Sequence, residues 1–202
     1  MTVKIAVLVS GRGSNLQAII DNIEKGYIKN AAVNVVISNK ADAYALERAR
    51  NHGISAVFLD PKGRDKAEYD REILNVLRQY DTDLLLLAGY FRILGSEIID
   101  AYRHRVLNIH PSLLPAFKGL HAQKQAFEYG VKVAGCTVHF VDEGLDSGPI
   151  IIQKCVPVLV GDTEETLTDR ILEQEHIIYP EAVRLFVEGK LKVEGRNVIA
   201  LD

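Results

Sequence analysis

Short apolar runs alternate along this chain with amphipathic stretches, and the alternation predicts the fold. Val3–Val9 reads as a buried strand, and Leu16–Ile23 then recurs at helical spacing. A second strand, Val33–Ile37, precedes a helix over Ala43–Asn51, and a third, Ala56–Leu59, precedes a helix from about Asp65 to Tyr80. The strand Leu84–Ala88, a short helix near Ser96–Tyr102 and the strand Val106–Ile109 continue the series. Short strands that are apolar throughout, set between helices, are what a parallel sheet covered on both faces requires.

The second half departs from that pattern. A helix over His121–Tyr129 leads to two longer strands, Gly135–Val141 and Ile150–Val160. The turn-rich stretch Asp142–Pro149 between them suits an antiparallel connection. Thr163 and Thr166 open a long helix by capping chemistry, and Pro180 is expected to divide it or start its second segment. The predicted class is α/β: a Rossmann-like, doubly wound, mostly parallel sheet with an antiparallel C-terminal strand pair. No repeat or linker breaks the chain, so residues 1–202 are expected to form one domain.

Composition narrows the classes. With 48% apolar and 25% charged residues and a net charge of −3, a strongly basic clamp for nucleic acid is not expected, while a local patch stays open. The longest apolar run, Leu84–Ala88, is far short of the ~20 residues of a bilayer span. The first residues run straight into a strand without signal-peptide architecture, so a cytoplasmic protein is expected. Cys136 and Cys155 lie in apolar, strand-like runs, too far apart for a CxxC motif, and are expected as buried free thiols. His52, His104, His121, His139 and His176 lack metal-ligand spacing, so no metal is expected.

Polar residues interrupt the pattern where chemistry is expected. Ser10-Gly11-Arg12-Gly13-Ser14-Asn15 joins the first strand to the first helix, and free N–H groups at a helix start favour an anion. The run lacks the third glycine and the distal acid of a dinucleotide fingerprint, so a single phosphate on a small substrate fits better than a dinucleotide. Asn108 and His110 stand two apart at the carboxyl end of a strand, on one face of it. There an amide can donate to a carbonyl oxygen and an imidazole can carry a proton. Asp146, against a Ser-Gly-Pro turn, is either solvated or placed to orient an imidazole. Glu175 falls on the apolar stripe of Leu167, Ile171 and Ile178, as a helix-edge residue or a ligand contact.

Ser10-Gly-Arg-Gly-Ser-Asn-Leu-Gln, Ser38-Asn-Lys-Ala-Asp, Leu87-Ala-Gly-Tyr-Phe-Arg-Ile-Leu, Asn108-Ile-His-Pro-Ser-Leu-Leu-Pro, Asp146-Ser-Gly-Pro and Gln174-Glu-His together resemble the folate-dependent glycinamide ribonucleotide formyltransferase family. The resemblance implies formyl transfer from 10-formyltetrahydrofolate, as cosubstrate, to the amine of glycinamide ribonucleotide in purine synthesis. It implies Asn108, His110 and Asp146 as the catalytic set. Gly13, Ser14, Asn15 and Glu175 would bind the ribonucleotide. Lys66, Tyr90, Phe91, Arg92, Ile93, Leu94 and Asn108 would line the folate side, with Asp142, Glu143, Gly144, Leu145 and Asp146. The family commonly has Arg where Lys66 stands, which removes a guanidinium fork. A cis peptide before Pro115 is implied as well, and a homodimer stays open. Small molecules would be the partners, without nucleic acid or membrane. Related activities argue for other signals. A formylmethionyl-tRNA-forming enzyme would carry a basic RNA-binding domain, and a formyltetrahydrofolate hydrolase an N-terminal regulatory one. A silent nucleotide-binding regulator would lack the Asn108–His110 pair.

Overall fold

The apolar strands read from the sequence form parallel ladders in the computed structural model, which describes residues 1–201. The chain divides into two units, the first ending at Asn108 and the second beginning at Ile109. In the first unit β1 (Val3–Val9), β2 (Ala31–Ser38), β3 (Ser55–Phe58), β4 (Leu84–Leu87) and the start of β5 (Val106–His110) run parallel. Their order is β3-β2-β1-β4-β5. Four helices connect them: α1 (Ser14–Glu24), α2 (Tyr44–Asn51), α3 (Lys66–Gln79) and α4 (Ser96–Ala101).

The winding runs outward from β1 in one direction through β2 and β3, then returns to β4 on its other side. Right-handed crossovers place the helices of the two directions on opposite faces of the sheet, so the doubly wound reading holds here. The reversal lies between β1 and β4, and ligands in such sheets bind at the carboxyl ends of the strands flanking it. Those ends carry the glycine turn after β1 and the Gly89–Leu94 segment after β4. Ser10 ties them together. Its N–H donates to the Gly89 carbonyl at 2.9 Å, and its buried hydroxyl donates to Asn39 Oδ1 at 2.6 Å while accepting from Phe91 N–H at 3.0 Å.

The second unit holds α5 (Ala122–Tyr129), the antiparallel pair β6 (Val133–Phe140) and β7 (Ile150–Pro157), and the long helix α6 (Glu164–Val187). The expected antiparallel pair is therefore present. A second pair, β8 (Leu191–Glu194) with β9 (Asn197–Ala200), was not read from the sequence, and β9 meets β7 in parallel at Ile150. Leu114–Pro115 is a cis peptide, as the resemblance implied.

Two readings are corrected. Pro180 lies inside α6, which runs unbroken from Glu164 to Val187. Proline removes one donor from the helical ladder, but buried Ile178, Tyr179, Ala182 and Val183 hold the helix in place on both sides of it. Cys155 is exposed, because Gln153, Lys154 and Cys155 lie on the solvent-facing stretch of β7, whereas Cys136 is buried. Both thiols are free.

Candidate active site

The glycine turn is shaped by its backbone. Gly13 caps α1 with φ 71° and ψ 34°, a left-handed conformation natural to glycine. A Cβ there would stand 2.6 Å from Ala45 Cβ, so the start of α2 packs directly on the turn. Ala45 N–H donates to the Gly11 carbonyl at 3.1 Å, and Gln17 N–H to the Gly13 carbonyl at 3.0 Å. Ser14 opens the helix and Asn15 is buried beside it. Two oriented peptide planes followed by a helix N-terminus make an arrangement suited to one anion.

After β4, Phe91 and Ile93 are exposed while Leu94 is buried. Arg92 lies over the Tyr69 ring, 4.8 Å from its centroid, and Tyr69 and Tyr90 share a hydrogen bond. Burial of Tyr90, reinforced by Tyr69, raises its hydroxyl far above the ordinary phenol range, so it stays protonated. Lys66 opens α3 and meets the buried Asp70 at 2.9 Å, one helical turn on. Its ammonium therefore neutralises a carboxylate of the protein itself, a role the i,i+4 spacing could have signalled.

In the second unit His110, at the end of β5, is buried and faces Asp146, with Nδ1 3.4 Å from Oδ2. Its Nε2–H donates to the Phe117 carbonyl at 2.9 Å. Both ring nitrogens thus face acceptors, which fixes the orientation of the ring. Asp146 sits at φ 45°, a left-handed conformation that Asp tolerates better than most residues. Its Oδ2 also accepts the Gly119 N–H at 2.8 Å. The Asp142 carboxylate accepts from the Gly144 N–H and the Ser147 hydroxyl, folding the acidic loop on itself. Leu145 is half-exposed, and Glu143 and Gly144 are open to solvent.

A second imidazole, missed in the sequence, stands on the other side of this carboxylate. His139 is buried on β6 with Nε2 3.8 Å from Asp146 Oδ1, and its Nδ1–H donates to the Phe140 carbonyl at 2.8 Å. Burial pushes its pKa below the ordinary histidine value, outweighing that bond and the pull of Asp146. The alternation Cys136-Thr137-Val138-His139 gave no sign of it, since a lone strand histidine reads equally as core. Thr137, also buried, donates to the Ser112 carbonyl at 2.7 Å and accepts from Leu114 N–H at 3.1 Å, fastening the Ser112–Leu114 segment to β6. Glu175 is buried on α6, and its charge adds to burial in raising the Cys136 thiol to about 12. The helix-edge reading of Glu175 is thereby set aside.

Asn108 is half-buried on β5 opposite Leu87 of β4, two residues before His110, so the alternation of the strand gives both the same face. An imidazole backed by a carboxylate can donate to a carbonyl oxygen and relay a proton. No helix among the described residues is long and apolar enough to cross a membrane.

The chain matches the formyl transferase family over residues 3–183. It is 48% identical over 199 residues to the phosphoribosylglycinamide formyltransferase of Escherichia coli (strain K12), covering 98% of this chain and 93% of that one. It is 45% identical over 195 residues to the trifunctional purine biosynthetic protein adenosine-3 of Homo sapiens, covering 96% of this chain but 19% of that one. The crystal structure of glycinamide ribonucleotide transformylase 1 from Symbiobacterium toebii superposes with a TM-score of 0.97 at 55% identity, covering 100% of this chain and 95% of that one. On the strength of the match over most of its length and of these relatives, the chain belongs to the formyl transferase family.

Proposed function

We propose that this protein transfers the formyl group of 10-formyltetrahydrofolate to the primary amine of glycinamide ribonucleotide, in de novo purine synthesis. The observation that carries the reading is the His110 ring, with Asp146 at one nitrogen and an accepting carbonyl at the other. The similarity to glycinamide ribonucleotide transformylases supports the choice of substrates.

In the proposed reaction the amine nitrogen attacks the formyl carbon and charge builds on the formyl oxygen. Asn108 and the Nε2–H of His110 donate to that oxygen, and Asp146 holds the imidazolium charged and turned. A preorganised donor of this kind is typically worth ~3–4 kcal/mol in the transition state. Nε2–H first exchanges the Phe117 carbonyl for the formyl oxygen. The bond from carbon to N10 then breaks, the amine loses a proton and N10 gains one, with no covalent enzyme intermediate. Gly13, Ser14 and Asn15 hold the phosphate and Glu175 the sugar or amine end. Tyr90–Leu94 and Asp142–Asp146 line the folate side with Lys66, whose ammonium is paired with Asp70 and which offers no fork. Both units act as one domain in this reading, supported by a family match that runs unbroken past Asn108. The enzyme works in the cytoplasm without metal or nucleic acid.

The test is a product balance: purified protein and 10-formyltetrahydrofolate, with and without glycinamide ribonucleotide. Tetrahydrofolate and formylated ribonucleotide are expected in equal amounts, and only when both substrates are present. Formate released without ribonucleotide would assign a hydrolase instead, and no turnover would overturn the reading.

A further inference from the structure

The turn between β1 and α1 is held from outside by a residue that neither the motif nor the proposed chemistry includes. Arg48, the fifth residue of α2, donates from Nε to the Arg12 carbonyl at 2.9 Å and from Nη1 to Gln17 Oε1 at 3.0 Å. Its guanidinium lies 4.9 Å over the Tyr44 ring, so the fork is braced on one face. Gln17 is tied in turn: its Nε2 donates to Asp21 Oδ1 at 2.7 Å and lies 3.0 Å from His52 Nε2. His52 Nδ1 meets Glu24 Oε1 at 2.7 Å. The network fastens α2 to α1 along the side of the turn.

Its effect on the turn follows from peptide geometry. In a planar trans peptide the C=O of one residue and the N–H of the next point in opposite directions. Ala45 N–H on the Gly11 carbonyl therefore turns the Arg12 N–H away from α2. Arg48 on the Arg12 carbonyl does the same for the Gly13 N–H. The Gly13 peptide is the one just ahead of the helix, and at φ 71° the glycine backbone has the freedom to flip it.

We infer that Arg48 is a positioning residue of the ribonucleotide site: by gripping the Arg12 carbonyl it aims the Gly13 N–H at the substrate phosphate. The inference rests on the reading given under Proposed function. It assigns Arg48 to phosphate affinity, acting through the backbone, and leaves the formyl chemistry and the folate side untouched. The fork matters as much as the charge, because Nε and Nη1 grip two different acceptors at once and a lysine ammonium cannot reproduce that planar reach.

The test compares wild type, Arg48→Met and Arg48→Lys by steady-state kinetics in both substrates, and by following the Gly13 and Ser14 amide resonances during titration with ribose 5-phosphate. Met keeps an apolar stem over Tyr44 and good helix propensity, so the variant is expected to fold, and circular dichroism checks that it does. Both variants should raise KM for the ribonucleotide about tenfold, the loss expected of a charge-assisted hydrogen bond at a half-exposed site. The kcat and the KM for folate should stay within about twofold, and the Gly13 amide should respond more weakly to ribose 5-phosphate. If Arg48→Met fails to fold, Arg48→Lys and Gln17→Leu carry the comparison. Wild-type ribonucleotide affinity in Arg48→Lys would show that charge alone acts and would overturn the inference, as would equal losses for both substrates. Absence of formyl transfer by the wild type would instead reject the proposed function, while the ribose 5-phosphate titration would still report on Arg48.

Discussion

Gly13→Ala is the substitution whose consequence can be worked most fully from the structure. Two penalties are superposed at this position. Alanine at φ 71° occupies the left-handed region, which costs about 1–2 kcal/mol for a residue with a Cβ. That Cβ also stands 2.6 Å from Ala45 Cβ, closer than real Cβ atoms come, and 3.0 Å from Ala45 Cα, a tight contact. Neither neighbour is a flexible side-chain end, so the first turn of α2 must move, and forced repacking of this kind costs roughly 1–3 kcal/mol. Together they give about 2–5 kcal/mol, a fall in Tm of very roughly 4–20 °C for a chain of this size. Gly26→Ala is the matched control. Gly26 has φ 73°, but nothing lies within 4 Å of its added Cβ, so it carries the backbone penalty alone. Calorimetric melting of both variants isolates the contact, and Gly13→Ala should melt clearly below Gly26→Ala. Equal melting temperatures would refute the close packing of α2 on the turn.

Two further outcomes are expected. In the native protein a thiol reagent should titrate one cysteine quickly, exposed Cys155, while Cys136, buried and with its pKa raised to about 12, should react only on unfolding. Two fast equivalents would contradict this. Asp162 accepts both Nη groups of Arg170 at 2.8 and 2.7 Å and the Leu159 N–H at 2.7 Å, which hold its carboxyl well below the usual range. A depressed folded-state pKa gives stability that is present above the unfolded value of about 3.9 and lost as pH falls through the folded one. Asp162→Asn should therefore lower Tm at neutral pH, and the gap to wild type should narrow below about pH 4. A gap that is constant with pH would assign the loss to packing.

The parts of this fold legible in the sequence are those in which one periodicity dominates. Ile5–Val9 and Leu84–Leu87 are buried on both faces, so an unbroken apolar run marks each strand. β8 and β9, Leu-Lys-Val-Glu and Asn-Val-Ile-Ala, are half-exposed and four residues long, too short for alternation to stand out. Cys155 was misread because the apolar run Ile150–Ile152 hides a strand whose next three residues face solvent. Among the candidate site residues, Gly13 and His110 stood out in the sequence because each breaks a local pattern, while Asp146 lay among other acids of a turn. Arg48 did not stand out, since its partner is a main-chain carbonyl 36 positions away. His139 and Thr137 were hidden for a related reason. Both are polar residues on a buried strand, and only the folded chain brings Asp146, from the connection after the strand, and Ser112, 25 positions away, to them.

The central claim is that Asp146 holds the His110 imidazole charged and oriented for transfer, and the turnover of Asp146→Asn tests it most directly. An asparagine keeps the shape of the side chain but removes the charge opposite Nδ1, 3.4 Å away. With both substrates saturating and their affinities measured on the same preparation, kcat should fall by about two to four orders of magnitude while binding of the ribonucleotide survives. A kcat within a few-fold of wild type would remove the carboxylate from the chemistry and, with it, the mechanism argued for this site.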